Sequence, residues 1–503
     1  MSTSPTTVSY PLLGAREPSE VVPSSVLKLP KVAHAELPCA AFTPHDADPK
    51  EYLSAREDCW NKSVKEWPSV IAMPTSVEEV QSVVKMAAGE KVAVLSGGHS
   101  PMCMPDRAFL INMRKMNKVL VDPAAMVVKA EGGAKIGEVD AVLKPHNFAV
   151  PLGTHPDTGI GGLTLGGGIG WLTPRVGLAI DNLVSADVVL ADGSLVTASA
   201  DSHADLYWAL RGGGGNFGVV VSFTYKVYAV GGADGFEPGH VLAGTVPFLP
   251  DAFDRKTVIE KWGAESLSTS ADNVQMLLLV LGGPCVSVFT HHGPMDTAKQ
   301  ALEAHAKGYG ATMPPKDGVK AMPWTNGVQT LTGMGDPNGA GDLLAPGNPF
   351  YYTAGFVENL TPELSAFLAK AQEDAPSKPG IHGGSAIVVM PLHGPFNDVP
   401  ADATAISARS AKFWVVFLMR LDGDEETMAK GIAWGRELKK EFIAMDGVIA
   451  TDMRLNKPGS IALDTDTHSV LPSQNEGCLE KLRGVKQKYD PSNLFCYASL
   501  SKK

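Results

Sequence analysis

The sequence predicts an α+β protein in two parts. The first is a domain of two small α/β units, and the second is built on an antiparallel sheet covered by helices. Three observations carry this expectation. A strand–helix–strand unit over residues 69–95 runs into the turn Ser96-Gly97-Gly98-His99-Ser100. The stretch from Gly153 to Asn182 packs seven glycines between Gly159 and Gly170, among the aliphatic residues Ile160, Leu163, Leu165 and Ile169. That pattern suits buried backbone better than a flexible linker. Beyond residues 231–235, long β-rich runs are separated by helical ones.

Taken in order, residues 1–45 are rich in Pro, Ser and Thr and are expected to form an extended arm. Residues 69–72 are a strand. Ser76 opens a helix whose capping box is completed by Glu79 and whose apolar stripe is Val77, Val80, Val84 and Ala87. Residues 92–95 are a second strand, and a ligand would sit at its carboxyl end, beside the glycine turn. Strands follow over 108–112, 118–121 and 127–130, and Gly132-Gly133 opens a helix over residues 135–144. Strands 185–190 and 195–198 pair across the Asp192-Gly193 hairpin. Gly213, Gly215 and Gly218 spell GxGxxG. A dinucleotide fingerprint needs a strand before and a helix after, and here the helix (205–210) comes first and the strand (219–227) second. The second part shows strands over 274–281, 286–290, 351–357, 386–390 and 413–421, with helices over 362–373 and 425–444. The last helix, from Leu479, and the turn through Asn493 are expected to return to the first domain.

Composition narrows the function. The chain has 503 residues, 44% hydrophobic and 19% charged, the balance of a globular protein with a large core. A net charge of −11 argues against a nucleic-acid surface, Lys439-Lys440 near Arg436 being the densest basic cluster. No apolar run reaches the roughly 18 residues of a membrane span, and no signal peptide is visible. Sequons at Asn61 and Asn359 matter only in a secreted protein. Cys39, Cys59, Cys103, Cys285, Cys478 and Cys496 form no CxxC pair, so neither a zinc nor a dithiol redox pattern is present. GxSxG, HExxH and GxxxxGK[ST] do not occur. His291 and His292 are neighbours at a strand end and point to opposite faces, so no metal is expected there.

His99 follows Gly97-Gly98 at a strand end, where it is either a ligand contact or a structural histidine. Its companions sharpen the reading. They are Asp157-Thr158-Gly159-Ile160-Gly161-Gly162-Leu163-Thr164-Leu165-Gly166-Gly167-Gly168-Ile169-Gly170-Trp171, then Asp181-Asn182-Leu183, and the run Asp205-Leu206-Tyr207-Trp208-Ala209-Leu210-Arg211-Gly212. Gly215-Asn216-Phe217-Gly218 and Tyr489-Asp490-Pro491-Ser492-Asn493-Leu494-Phe495 complete the set. Together they resemble the berberine-bridge-enzyme-like family of flavoproteins, within the vanillyl-alcohol-oxidase superfold, over roughly residues 65–230 and 479–497.

The resemblance implies a PCMH-type FAD-binding domain over residues 46–230, a substrate domain over 231–460 and a return to the first domain over 461–503. It implies FAD, with contacts at Ser96, Gly97, Gly98, His99, Ser100, His155, Thr158, Gly159, Gly161, Gly162, Leu163, Gly168, Ile169, Gly218, Val219 and Asn493. The Gly97-Gly98 turn would bind the pyrophosphate through backbone N–H groups. Covalent attachment is implied through His99 only, because His155 stands where many members carry a second, cysteine link, and an imidazole cannot form that thioether. Thr158 occupies the oxygen-gating position, where a small side chain goes with oxidases.

One feature departs from the family. The strand 386–390, before Pro391-Leu392-His393-Gly394, lacks the usual Glu or Gln, and 460–464 lacks the tyrosines of sugar-oxidising members. His393, Asp398 and Tyr352 are the candidate proton acceptors, with Tyr351 and Gln275 behind them; His393 has the suitable titration range. The function implied is an FAD-dependent oxidase of an alcohol or a sugar anomeric carbon, with a small-molecule substrate and O2 as partners and no metal, nucleic acid or membrane. An oxidase or dehydrogenase of a secondary metabolite is the alternative, and a flavin-carrying protein without turnover the rival. A monomer is expected. The cytoplasm is favoured by the missing signal, the outside by a sugar substrate.

Overall fold

The computed structural model describes residues 22, 26–28, 36–57, 59, 66–100, 103–249, 254–268, 274–281, 284–308, 319–325, 327–328, 331, 350–375, 385–420, 425–451 and 476–496. The first sheet runs β1-β2-β4-β3, from β1 (Ala40–Phe42), β2 (Val70–Met73), β3 (Val92–Leu95) and β4 (Phe109–Asn112). Strands β2, β4 and β3 are parallel, and β1 joins antiparallel to β2. Residues 40–42 therefore belong to this sheet, although composition places them in the arm. Helix α1 (Lys50–Glu57) follows β1.

Helix α2 (Val77–Met86) covers the sheet with Val80, Val83 and Val84, which are fully buried. Ser76 caps it by accepting the Glu79 N–H at 3.2 Å. The reciprocal half of the capping box shifts by one residue. The Glu79 carboxylate accepts from the backbone N–H and hydroxyl of Thr75.

The second sheet is antiparallel, in the order β5-β6-β10-β8-β9: β5 (Val119–Asp122), β6 (Val127–Glu131), β8 (Leu183–Val189), β9 (Leu195–Ser199) and β10 (Val219–Lys226). A short pair, β7 (Phe148–Ala149) with β11 (Tyr228–Ala229), closes its edge. Helices α3 (Ile136–Leu143), α4 (Ile160–Leu165), α5 (Thr173–Val176) and α6 (Ala204–Leu210) fill the connections. Helix α6 precedes β10, so the GxGxxG between them has the order that a dinucleotide fingerprint does not have.

The third sheet starts at residue 240. It contains β12 (His240–Phe248), β13 (Val274–Val280), β14 (Cys285–His291), β15 (Val319–Pro323), β16 (Phe350–Val357), β17 (Ala386–Pro391), β18 (Phe413–Arg420) and β19 (Val448–Thr451). Its order is β15-β12-β14-β13-β17-β18-β16-β19, antiparallel throughout. Residue parity splits its faces. Leu242, Val246, Leu278, Ile387, Val389, Val415 and Phe417 pack under α7 (Arg255–Ser268), α8 (Met295–Gly308), α9 (Pro362–Glu373) and α11 (Glu425–Ile443). Val241, Ala243, Leu279, Val288, Val388, Met390 and Val416 face the other way, against Ala149, Trp171, Leu172 and Val230 of the first domain. Strands β12, β15 and β19 and helices α7 and α8 escape a sequence reading. The Gly and Pro in β12 blur its period, and α7 carries Gly263 in mid-helix.

The short helix α10 (Pro395–Asp398) follows β17. The last helix, α12 (Glu476–Tyr489), returns to the first domain. Lys486 Nζ donates to Asn216 O at 2.8 Å, Tyr489 donates to Asp205, and the Val92 N–H donates to Leu494 O.

Candidate active site

The site is assembled at the carboxyl end of β3. Strands β3 and β4 are parallel neighbours with Leu95 opposite Asn112, so their ends deliver Ser96-Gly97-Gly98-His99 and Arg114 side by side. Arg114 Nη1 donates to Gly97 O at 3.1 Å. The turn meets the segment 155–159. That segment is held because its carbonyls satisfy the first N–H groups of α3: Ile136 N donates to Thr158 O at 2.9 Å and Gly137 N to Pro156 O at 2.8 Å. Between those two carbonyls, Asp157 is turned toward Lys135, and the two form a close ion pair.

Gly97 and Gly159 are in backbone contact. A Cβ on Gly97 would lie 2.0 Å from Gly159 N, and one on Gly159 would lie 2.1 Å from Gly97 N. At these two positions glycine serves the crossing of two chain segments, which is narrower than the phosphate-cradle role expected of the turn. Gly98 has φ +72°, a left-handed conformation natural to glycine.

Around this crossing the titratable groups gather. The His99 and His155 rings meet edge-on at 5.3 Å between centroids. Thr158 Oγ1 is 3.5 Å from His99 Nδ1, and Asp157 Oδ2 is 3.9 Å from His99 Nε2. His155 Nδ1 accepts the Asp157 N–H at 3.2 Å, which places the His155 proton on Nε2. The surrounding protein holds the His99 pKa down at about 3, by desolvation first and then by the electrostatic effect of the adjoining His155 ring, with Lys135 and Arg114 adding to it and Asp157 opposing. His99 is therefore a neutral imidazole at ordinary pH. For Asp157, burial acts upward and is the largest single influence, but Lys135, His99 and Arg114 together outweigh it and hold the carboxyl below its usual range.

The other expected contacts fall into three groups. The Ser96 hydroxyl donates to Gly132 O at 2.8 Å and accepts the Gly161 N–H, which ties the turn to the β6–α3 connection and to α4. Leu163 and Ile169 are half-buried; Ile169 packs against both the sheet wall and the Leu178–Phe396 cluster. Gly162 is exposed, Ser100 accepts the Cys103 N–H, and Gly168 lies against Ala179. Gly218 and Val219 start β10, opposite Val189.

Asn493 lies apart from the His99 cluster. Its turn bonds to Val92, at the amino end of β3, opposite the end that carries His99. The turn motif marks a fold contact, because the Asp490 carboxylate is spent on the N–H groups of Leu494 and Phe495. Asp398 is exposed at the end of α10 and takes no place in the wall. His393 is half-buried just beyond β17, and burial holds its imidazole below the usual histidine range. Tyr352 lies on β16 opposite Leu418, and Gln275 on β13 opposite Thr290; their side chains, and residues 460–464, lie outside what is described. His291 ends β14, and His292 beyond it packs tilted against Trp324 at 4.9 Å between ring centroids; no metal-binding cluster occurs among the described residues.

Sequence reasoning missed Lys135 and Arg114. Each is a basic residue beside an element end, Arg114 next to Lys115, and only the fold brings it to His99. The sheet face that packs on the first domain carries Val388, Met390, Val416 and Ala354, with Trp414 and Leu418 packed against them. Among the described residues its packed side chains include no carboxylate or amide.

Residues 68–199 match the model of an FAD binding domain. The chain is an FAD-linked oxidoreductase. Its enzyme relatives include FAD-linked oxidoreductase pgmH of Aspergillus terreus, 29% identical over 479 residues, covering 88% of this chain and 91% of the relative. They also include (R)-6-hydroxynicotine oxidase of Paenarthrobacter nicotinovorans, 26% identical over 452 residues, 88% of this chain and 93% of the relative. Among solved structures, xylooligosaccharide oxidase from Myceliophthora thermophila C1, in complex with xylobiose, superimposes with a TM-score of 0.75 at 26% identity, over 92% of this chain and 96% of that one. The fold of the enzyme is thus the PCMH-type FAD-binding fold with a sheet-based second domain. Its residues suit FAD. Two cations stand beside a glycine turn, a neutral imidazole sits at its end, and an apolar sheet face packs on the same domain.

Proposed function

We propose that the enzyme is an oxidase of a CH–OH group, most plausibly the anomeric carbon of an oligosaccharide, and that it carries FAD covalently through His99 alone. The observation that carries this reading is the meeting of His99, His155, Asp157 and Thr158 at the end of the glycine turn. Bound FAD would supply the hydride acceptor and, with O2, yield peroxide. The residues of the chain do the rest. A neutral His99 imidazole is the form that can bond to the flavin through a ring nitrogen. Lys135 and Arg114 bring positive charge to the turn, and Asp157 limits it. His155 keeps its Nε2–H beside His99, and the small Thr158 leaves room for O2. Val388, Met390 and Val416 exclude water from a flat ring. His393, neutral through burial, is the proton acceptor we favour.

The apolar wall also suits a second reading, an aromatic secondary metabolite in place of a sugar. One experiment separates these. Acid precipitation and peptide mapping should leave flavin on the His99 peptide in the wild type and none in His99→Ala. Oxygen uptake with xylobiose or cellobiose, against aromatic alcohols and hydroxylated pyridines, then assigns the substrate. Free FAD in the wild-type supernatant would sink covalent attachment, and turnover with dyes but not O2 would sink the oxidase assignment.

A further inference from the structure

The thiols of Cys59 and Cys103, 44 residues apart in the chain, lie 3.6 Å from each other. The Cys59 thiol also donates to Gly98 O at 3.3 Å. Gly98 immediately precedes His99, and the Cys103 N–H closes the same turn on Ser100 O at 3.1 Å. The two sulfurs thus bracket the turn that carries His99, one beneath it and one at its exit. Cys59 is buried against Tyr52, Leu53, Ile71 and Leu95, and Cys103 is half-buried at the edge of that cluster.

We propose that Cys59 and Cys103 are a redox-responsive pair that a hydroperoxide converts to a disulfide, locking the turn that carries His99. The oxidase reading would generate such an oxidant at this site, but the chemistry needs only a hydroperoxide from any source. The more accessible thiol, Cys103, attacks hydrogen peroxide as its thiolate. The O–O bond breaks, hydroxide leaves and a sulfenic acid forms. The Cys59 thiol then attacks that sulfur, the S–O bond breaks, and water leaves. Two thiols and one peroxide give one disulfide and two waters, with the sulfurs losing the two electrons that the peroxide gains. The sulfurs must close from 3.6 Å to about 2.05 Å, within reach of small side-chain rotations. The thiol hydrogen bond to Gly98 O is lost, and a covalent tether replaces it. Other cysteines are poorer targets. Burial pushes the Cys285 thiol up to about 12 and the Cys478 thiol up to about 11, so little thiolate forms there.

The test titrates purified holoenzyme with added hydrogen peroxide, blocks remaining thiols and maps peptides. The expected result is a single Cys59–Cys103 linked peptide that dithiothreitol reverses. In Cys59→Ser, Cys103 should stop at a sulfenic acid trapped by dimedone. Amide exchange over Gly97 to Ser100 should slow in the oxidised wild type. Two fully alkylatable thiols after excess peroxide would overturn the pair. So would Cys103 passing to a sulfinic acid while Cys59 stays reduced, and unchanged exchange would overturn the lock. Because the peroxide is added, a failed oxygen assay leaves this result interpretable.

Discussion

The two walls of the site are built by different physics. On the FAD-binding side, backbone touches backbone where Gly97 meets Gly159, and the charges of Arg114, Lys135 and Asp157, from three separate segments, surround the crossing. On the opposite side, a sheet presents alternate apolar side chains, and no single one is indispensable to its shape. The first wall is rigid and intolerant because nothing at the crossing can rotate away. The second is a packed surface, where loss of one side chain leaves a cavity of limited cost.

The sharpest test of that contrast is Gly97→Ala. Its methyl would meet backbone atoms at 2.0 Å, so we expect a loss of about 4 kcal/mol or more, with little folded, flavin-loaded protein recovered. Native-like melting and flavin content in this variant would break the comparison. Next comes the clamp between the domains, Arg409 with Asp181 at 2.7 and 2.9 Å, both buried. Arg409→Met leaves the Asp181 carboxylate without its countercharge, with the Leu178 N–H still donating to it at 2.9 Å, and should cost about 3 kcal/mol in denaturant unfolding. On the sheet wall, Met390→Ala should cost about 2–5 kcal/mol, toward the low end if neighbours relax, while flavin loading survives. A Met390→Ala protein that loses its flavin as fully as Gly97→Ala does would show the walls to be alike.

The smallest effect is read in acid. Burial, aided by the charges of Arg175 and His291, holds His292 near 3, below its ordinary 6.5. The unfolded chain therefore binds a proton that the folded chain refuses. Stability is full above pH 6.5 and falls as the pH drops toward 3, by up to about 1.4 kcal/mol per pH unit. His292→Gln should flatten the slope of unfolding free energy against pH by that amount over this window. An unchanged slope would mean that His292 takes up its proton in the folded state.

Much of the first domain was legible in the chain because its signals are local. The Ser76 cap, the valine stripe of α2 and the Asp192-Gly193 hairpin each act within a few residues. The motif around His99 and His155 was legible too, as a resemblance. What escaped was of two kinds. Lys135 and Arg114 carry no pattern, since a basic residue at an element end reads as a solvated surface. Asn493 sat in a suggestive motif and Asp398 was a candidate acceptor, and the fold put one by the amino end of β3 and the other on the surface.

The sequence by itself determined the element types, the α+β order and the family likeness, because hydrophobic period, caps and turns are properties of short windows. Only the tertiary structure decided which glycines are irreplaceable, which charges surround His99, and that Cys59 lies beneath the same turn. Each of those depends on two segments meeting across tens of residues or more, as Gly97 meets Gly159 and Arg409 meets Asp181, and no short window contains both partners.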